Sequence, residues 1–241
     1  MNLLLFHPTE AIAENRYALA IHDRRVIHLQ KVLKLSTQDK VEAGVLHGAL
    51  GQAIITKQNE QHWHFHFTPL TAPPPPLPIT LILALPRPKM LRRTLLDAIT
   101  LGIKHIILIN SYKVEKSYWQ TPRLQENQLH ELMQLALEQA KDTKPASIEI
   151  KNRFKPFLED DLIDIKTNKE CYLLHPGNGS YLPQNENLKE TIIAIGPEGG
   201  WSDYEVKRFI EMGFKQCSLG QRILRVETAL PTVIGRLAKL P

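Results

Sequence analysis

No apolar run in this chain of 241 residues approaches the length of a membrane span. The opening segment Asn2-Leu-Leu-Leu-Phe6 is too short for a secretory leader and lacks its basic flank. A cytoplasmic protein with no membrane partner is therefore expected. Only two cysteines occur, Cys171 and Cys217, and they match neither a metal-ligand spacing nor a disulfide framework. They read as small buried hydrophobes, and no metal site is expected. The common phosphate loops are missing too, since there is neither Gly-x-x-x-x-Gly-Lys-Ser/Thr nor Gly-x-Gly-x-x-Gly. What is present suits an ordinary soluble globular protein, with 43% hydrophobic and 23% charged residues. The net charge of +5 weakly favours a polyanionic partner.

Five prolines crowd the eight residues Thr71 to Pro78 and exclude a helix or a central strand there. The stretch reads as a semi-rigid linker, residues 71–78, between a module of residues 1–70 and a second of residues 79–241. The first module reads mostly as β. Lys40 to Val45 and Gly51 to Thr56 are short strand candidates, and His62 to Phe67 alternates strictly between histidine and aromatic. A triple-histidine face could hold a metal, but no further ligand lies nearby, so a solvated face over an aromatic core is the stronger reading. Residues His22 to Leu35 carry Val26, Leu29, Val32 and Leu33 at helical spacing, with Arg24, Arg25, Lys31 and Lys34 on the polar side.

The second module alternates strand and helix, which predicts an α/β sheet. Strands are expected at Ile79–Ala84, His105–Asn110 and Glu170–His175, with helices at Met90–Thr100 and Asn127–Lys141. Between Pro86 and Arg93 lie four cations, Arg87, Lys89, Arg92 and Arg93, at a strand end and helix start. Cations oppose the helix dipole there, so a phosphate backbone is the expected reason for them.

Thr191 to Ile195 is a β-branched run suited to a strand buried on both faces. Gly196-Pro-Glu-Gly-Gly200 follows, then Ser202 and Glu205 at capping-box spacing, so a helix should begin at Asp203 and end at Gly213. Such a junction is either a tight turn or a ligand pocket. Glu198 would repel a polyphosphate, so a neutral or zwitterionic ligand fits better. A second glycine loop follows Cys217-Ser-Leu-Gly220 and runs into a terminal helix, roughly Thr228 to Lys239. Pro231 requires that start to be close by.

Gly196-Pro-Glu-Gly-Gly200 followed by Leu219-Gly-x-x-Ile-Leu-Arg-x-Glu-Thr-Ala229 resembles the signature of the 16S ribosomal RNA uracil-N3 methyltransferases. That family belongs to the SPOUT superfamily of knotted methyltransferases. The resemblance implies an N-terminal PUA-like β-barrel, a C-terminal α/β domain with a trefoil knot, S-adenosylmethionine as cofactor and a homodimer. It also implies 16S ribosomal RNA or the small subunit as partner, with the basic side of residues 22–35 (Arg24, Arg25, Lys34) and the cluster of Arg87, Lys89 and Arg92 against RNA. Where the family usually has Val-Leu-Arg, this chain has Val32-Leu-Lys34. Thr100-Leu-Gly102, Glu115-Lys-Ser117 and Glu138-Gln-Ala-Lys-Asp-Thr-Lys144 depart likewise. The cofactor half is intact and the RNA half has drifted. Another ribosomal or transfer RNA target, or a non-catalytic RNA-binding relative, stays open.

On that resemblance the donor is expected on backbone groups around Leu174, His175, Gly196, Pro197, Gly199, Gly200, Leu219, Gly220, Ile223 and Leu224. Methyl transfer from a sulfonium is a direct displacement, so the protein supplies alignment and electrostatics. Uracil N3 must shed its proton, and a cation near O2 or O4 favours the anion. Arg225 is the candidate for that role, or else pairs with Glu227 or Glu198 to shape the loop. Glu198, Glu227 and His175 are the candidate bases, though either glutamate could simply satisfy loop amides. Trp201 is the candidate stacking surface for the base.

Overall fold

A computed structural model describes residues 1–177, 179–184 and 188–238. The chain divides into two units, residues 1–75 with 133–145 and residues 76–132 with 146–241.

In the first unit, alternation along the strands decides which side chains meet. Its six strands are β1 (Leu4–Phe6), β2 (Ala11–Ala13), β3 (Arg16–Ala20), β4 (Lys40–Val45), β5 (Leu50–Gln58) and β6 (His62–Thr71). They lie in the order β1-β4-β5-β6-β3-β2, with β1 parallel to β4 and the other pairings antiparallel. On β6 the aromatics Trp63, Phe65 and Phe67 point into the core, where Phe6 stacks on Tyr17 at 4.4 Å. His62 and His66 point outward as the alternation requires. Gly51 is obligatory by contact, because a Cβ there would stand 2.0 Å from the Thr68 carbonyl oxygen across the ladder.

The helix expected over residues 22–35 is shorter. α1 spans Arg24–Lys31, Val26 and Leu29 are buried, and Val32 and Leu33 are exposed instead of packed. The chain leaves the helical path at Lys34, with φ +54°, and the Leu35 N–H folds back to the Leu29 carbonyl. Apolar spacing thus runs one turn past the helix that it marks.

Arg25 is not a surface cation. Its side chain is 8% exposed and donates to Asp23, Glu10 and the Leu5 carbonyl, joining α1 to β1 and the turn after it. Burial opposes ionisation of Asp23, but the Arg25 hydrogen bond and charge outweigh it and hold that carboxyl below its ordinary range. Arg24 makes a two-pronged pair with the buried carboxylate of Glu138, at 2.8 and 2.7 Å.

Among the described residues the second unit holds seven strands, β7 (Leu77–Ala84), β8 (Ile103–Ile109), β9 (Ser147–Lys151), β10 (Glu170–Leu174), β11 (Ser180–Tyr181), β12 (Thr191–Ile195) and β13 (Lys215–Ser218). All pair in parallel, in the order β11-β13-β10-β12-β7-β8-β9. α2 (Pro88–Thr100) joins β7 to β8, and α3 (Glu126–Ala140) begins in this unit. α4 (Phe154–Pro156) and α5 (Leu162–Ile165) flank a π-helical turn over Phe157–Asp161. α6 (Asp203–Glu211) and α7 (Val226–Leu237) follow the two glycine loops, and α7 packs on α2. Central strands β7 and β12 are buried along nearly their whole length, as parallel strands covered on both faces must be.

Prolines gave two misreadings. Residues 72–76 carry no regular structure, but Pro78 lies inside β7, where a register irregularity between Leu77 and Thr80 absorbs its missing N–H. α7 already begins at Val226, so Pro231 sits in its second turn and leaves the Glu227 carbonyl without an i+4 donor. The expected helix end at Lys239 lies outside the described residues.

Replacing Arg25 by alanine would strand two carboxylates beside a buried carbonyl. A loss of about 3 kcal/mol or more of folding stability is expected, read as a lower denaturant midpoint with unchanged slope. Wild-type stability with weakened RNA binding would instead restore Arg25 to the surface.

Candidate active site

Strands β13, β10 and β12 are neighbours and point the same way, so the loops at their carboxyl ends open onto one crevice. Chain order reverses in this part of the sheet, because β7 to β9 run to one side and β10, β11 and β13 to the other. That is where an open α/β sheet offers a ligand site. A cleft of ≈ 700 Å³ lies there, walled by residues 174–177, 195–201 and 217–226 together with Lys113, Gly179, Tyr181 and Ala229.

Each wall has a local cause. Gly196 ends β12 beneath the Trp201 ring, and a Cβ on it would stand 3.2 Å from both the Trp201 backbone nitrogen and Nε1. Gly220 has φ +137°, a conformation that side chains rarely adopt. Ser202 and Glu205 form the expected capping box, which starts α6 at Asp203, and Gly213 turns the chain after it. The second oxygen of buried Glu205 accepts the Tyr112 N–H at 2.8 Å, so the loop after β8 is fastened to the same carboxylate.

Lys113, next to Tyr112, was not singled out in the sequence. Its ammonium donates to the Gly199 carbonyl at 2.8 Å and approaches that of Trp201 at 3.5 Å. No local pattern marks it, since its role comes from a loop more than eighty residues further along the chain.

All ten residues expected to hold a donor line the cleft: Leu174, His175, Gly196, Pro197, Gly199, Gly200, Leu219, Gly220, Ile223 and Leu224. Burial, and then the Lys113 charge, push the His175 imidazole below its ordinary value against a weaker pull from Asp203. Its Nδ1 is buried without a hydrogen-bond partner among the described residues. Burial also raises the Cys217 thiol, so this cleft wall carries no thiolate.

The three charged candidates separate. Arg225, at the N-cap of α7, is exposed, lines the cleft and makes no ion pair among the described residues. Glu198 also lines it, but its Oε1 accepts the Arg87 N–H at 3.0 Å. Glu227 lies in the first turn of α7, half-buried and off the cleft wall. Trp201 is not a stacking platform: it is 2% exposed and packs edge-on against Phe209 at 5.1 Å. Arg87, Lys89 and Arg92 are exposed at the start of α2, whereas Arg24, Arg25 and Lys34 belong to the other unit.

A family model described as an RNA methyltransferase domain matches residues 73–238. The chain is 31% identical over 233 residues to ribosomal RNA small subunit methyltransferase E of Treponema pallidum, covering 95% of this chain and 87% of that protein. It is 24% identical to ribosomal RNA small subunit methyltransferase E 1 of Borreliella burgdorferi, covering 95% and 94%. The crystal structure of ribosomal RNA small subunit methyltransferase E from Neisseria gonorrhoeae bound to S-adenosyl methionine aligns with TM-score 0.69 at 21% identity, over 97% of this chain and 94% of that one. At that identity the likeness is one of fold.

The lowered His175 carries a consequence for stability. Its folded pKa lies below the unfolded one, so the unfolded chain takes up more protons on acidification. This contribution is complete above about pH 6.5 and is lost as pH falls toward the folded value. The melting temperature of the wild type should therefore drop more than that of His175→Gln between about pH 7 and pH 5. Parallel curves would show that the imidazole is not held neutral.

Proposed function

This chain belongs to the RNA methyltransferase domain family, and on that premise we propose that it transfers the methyl group of S-adenosylmethionine to N3 of a uridine in 16S ribosomal RNA. The observation that carries this reading is the cleft, in which two glycine loops and the end of β10 present backbone groups beside apolar walls. The relatives named for the small ribosomal subunit favour its RNA as the target. The finer architecture belongs to the same proposal: a PUA-like barrel in the first unit, a trefoil knot in the second, a homodimer that completes the site and a cytoplasmic location.

The residues present suit a sulfonium nucleoside. Gly220 keeps a side chain from narrowing the cleft, Gly196 makes room for the Trp201 ring behind its wall, and Leu174, Ile195 and Leu219 offer apolar surface for a base. A neutral His175 spares a cationic ligand the repulsion that an imidazolium would add. The bound cofactor supplies an electrophilic methyl group, and the protein supplies the rest.

Uracil N3 carries a proton at neutral pH, and its lone pair becomes a good nucleophile once that proton leaves. Arg225 lines the cleft without a carboxylate partner among the described residues, so its guanidinium is free to stabilise negative charge on O2 or O4. Glu198 is engaged at Arg87 and Glu227 lies off the wall, which leaves His175, neutral and on the cleft wall, to accept the proton. The cations Arg87, Lys89 and Arg92 hold the phosphate backbone.

Mass mapping of ribosomal RNA nucleosides with and without the gene tests the target, and an unchanged level of N3-methyluridine in 16S RNA would end this reading. Arg225→Ala should bind the cofactor normally while its methylation rate falls by roughly 10²-fold. The deficit should shrink as pH rises, because uracil ionises without help in alkali. Near-normal turnover, or a defect mainly in cofactor affinity, would confine Arg225 to shaping the loop.

A further inference from the structure

α2 starts without the devices that usually begin a helix. Its N-cap, Arg87, offers no capping side chain, and N3 is Met90, which cannot reach back as a capping-box glutamate would. No acidic residue lies in its first turn, while Arg87, Lys89, Arg92 and Arg93 oppose the dipole. The missing carboxylate comes from 111 residues further on: Glu198 Oε1 accepts the Arg87 N–H at 3.0 Å.

Glu198 stands in the middle of the glycine turn that walls the cleft. The Gly200 N–H closes that turn on the Pro197 carbonyl at 2.7 Å, and Lys113 holds the Gly199 carbonyl at 2.8 Å. Glu198 is thus fastened on both sides, and a shift of the turn changes its reach to Arg87.

We infer that Glu198 is a positioning residue that couples the glycine turn to the cationic start of α2. A cofactor seated in the cleft then orders the phosphate-binding end of α2, and RNA held there orders the turn in return. This rests on the proposed cofactor and RNA sites, and it takes Glu198 out of the proton chemistry.

The test measures affinity of the full-length protein for in-vitro transcribed 16S ribosomal RNA, with and without saturating S-adenosylhomocysteine. Wild-type protein should bind the RNA at least about fivefold more tightly with the nucleoside present. Glu198→Ala should bring that ratio to about one while it still binds the nucleoside. Glu198→Gln keeps an acceptor for the Arg87 N–H but cannot serve as a base, so it should keep both the ratio and kcat. A wild-type ratio in Glu198→Ala overturns the coupling. A collapse of kcat in Glu198→Gln with the ratio intact overturns it in favour of a base, and that arm decides alone if the alanine variant does not fold. Wild-type protein that methylates N3 with no coupling sinks this inference only, whereas protein that leaves N3 unmethylated sinks the functional reading.

Discussion

The cleft depends on one buried carboxylate, that of Glu205. It is 2% exposed and takes three donors: the Ser202 N–H and Oγ on one oxygen and the Tyr112 N–H on the other, each at 2.8 Å. A buried carboxylate tolerates burial only when its lone pairs are met, and charge-assisted bonds are the strong ones. The first pair of bonds starts α6 and fixes where the glycine turn ends. The third fixes the loop after β8, which delivers Lys113 to the Gly199 carbonyl. Two loops far apart in the chain are therefore set by one side chain.

What could be read from the sequence was local. The capping box, the buried run before it, the glycines after β12 and β13 and the histidine–aromatic alternation of β6 all depend on neighbours within a few residues. Each appears where its spacing places it. The parts that escaped depend on partners far along the chain. β1 and β11 have three and two residues, too few to show a period, and they exist because β4 and β13 offer a parallel edge. Lys113 carries no signal, because its meaning is the position of Gly199.

Residue type misled wherever burial overrode it. Arg25 and Trp201 were placed at the RNA on the strength of guanidinium charge and indole surface. Arg25 instead closes a buried network with Asp23 and Glu10, and Trp201 fills the space that Gly196 leaves open. Its buried Nε1 has no hydrogen-bond partner among the described residues, a cost that an unpaired buried donor carries wherever it sits. Arginine and tryptophan are enriched at interfaces because they combine large area with donors, and the same qualities suit a buried tie or a wedge. Only burial separates the two uses.

The charges around the cleft form a division of labour that individual residues do not reveal. The proposed sulfonium ligand would be repelled by free cations, yet an RNA substrate needs them. Lys113 is compatible with both, because its ammonium is turned onto the Gly199 and Trp201 carbonyls. Glu198 likewise has its carboxylate turned onto the start of α2, where it offsets part of the cationic charge of Arg87, Lys89, Arg92 and Arg93. Arg225, like its neighbour Arg222, lines the cleft with neither an ion pair nor a side-chain hydrogen bond among the described residues. A cation left unpaired in a cleft proposed to hold a cationic ligand is unfavourable until negative charge arrives beside it. Charge that develops on the substrate in the transition state meets that need, and it is there that such a residue acts most strongly.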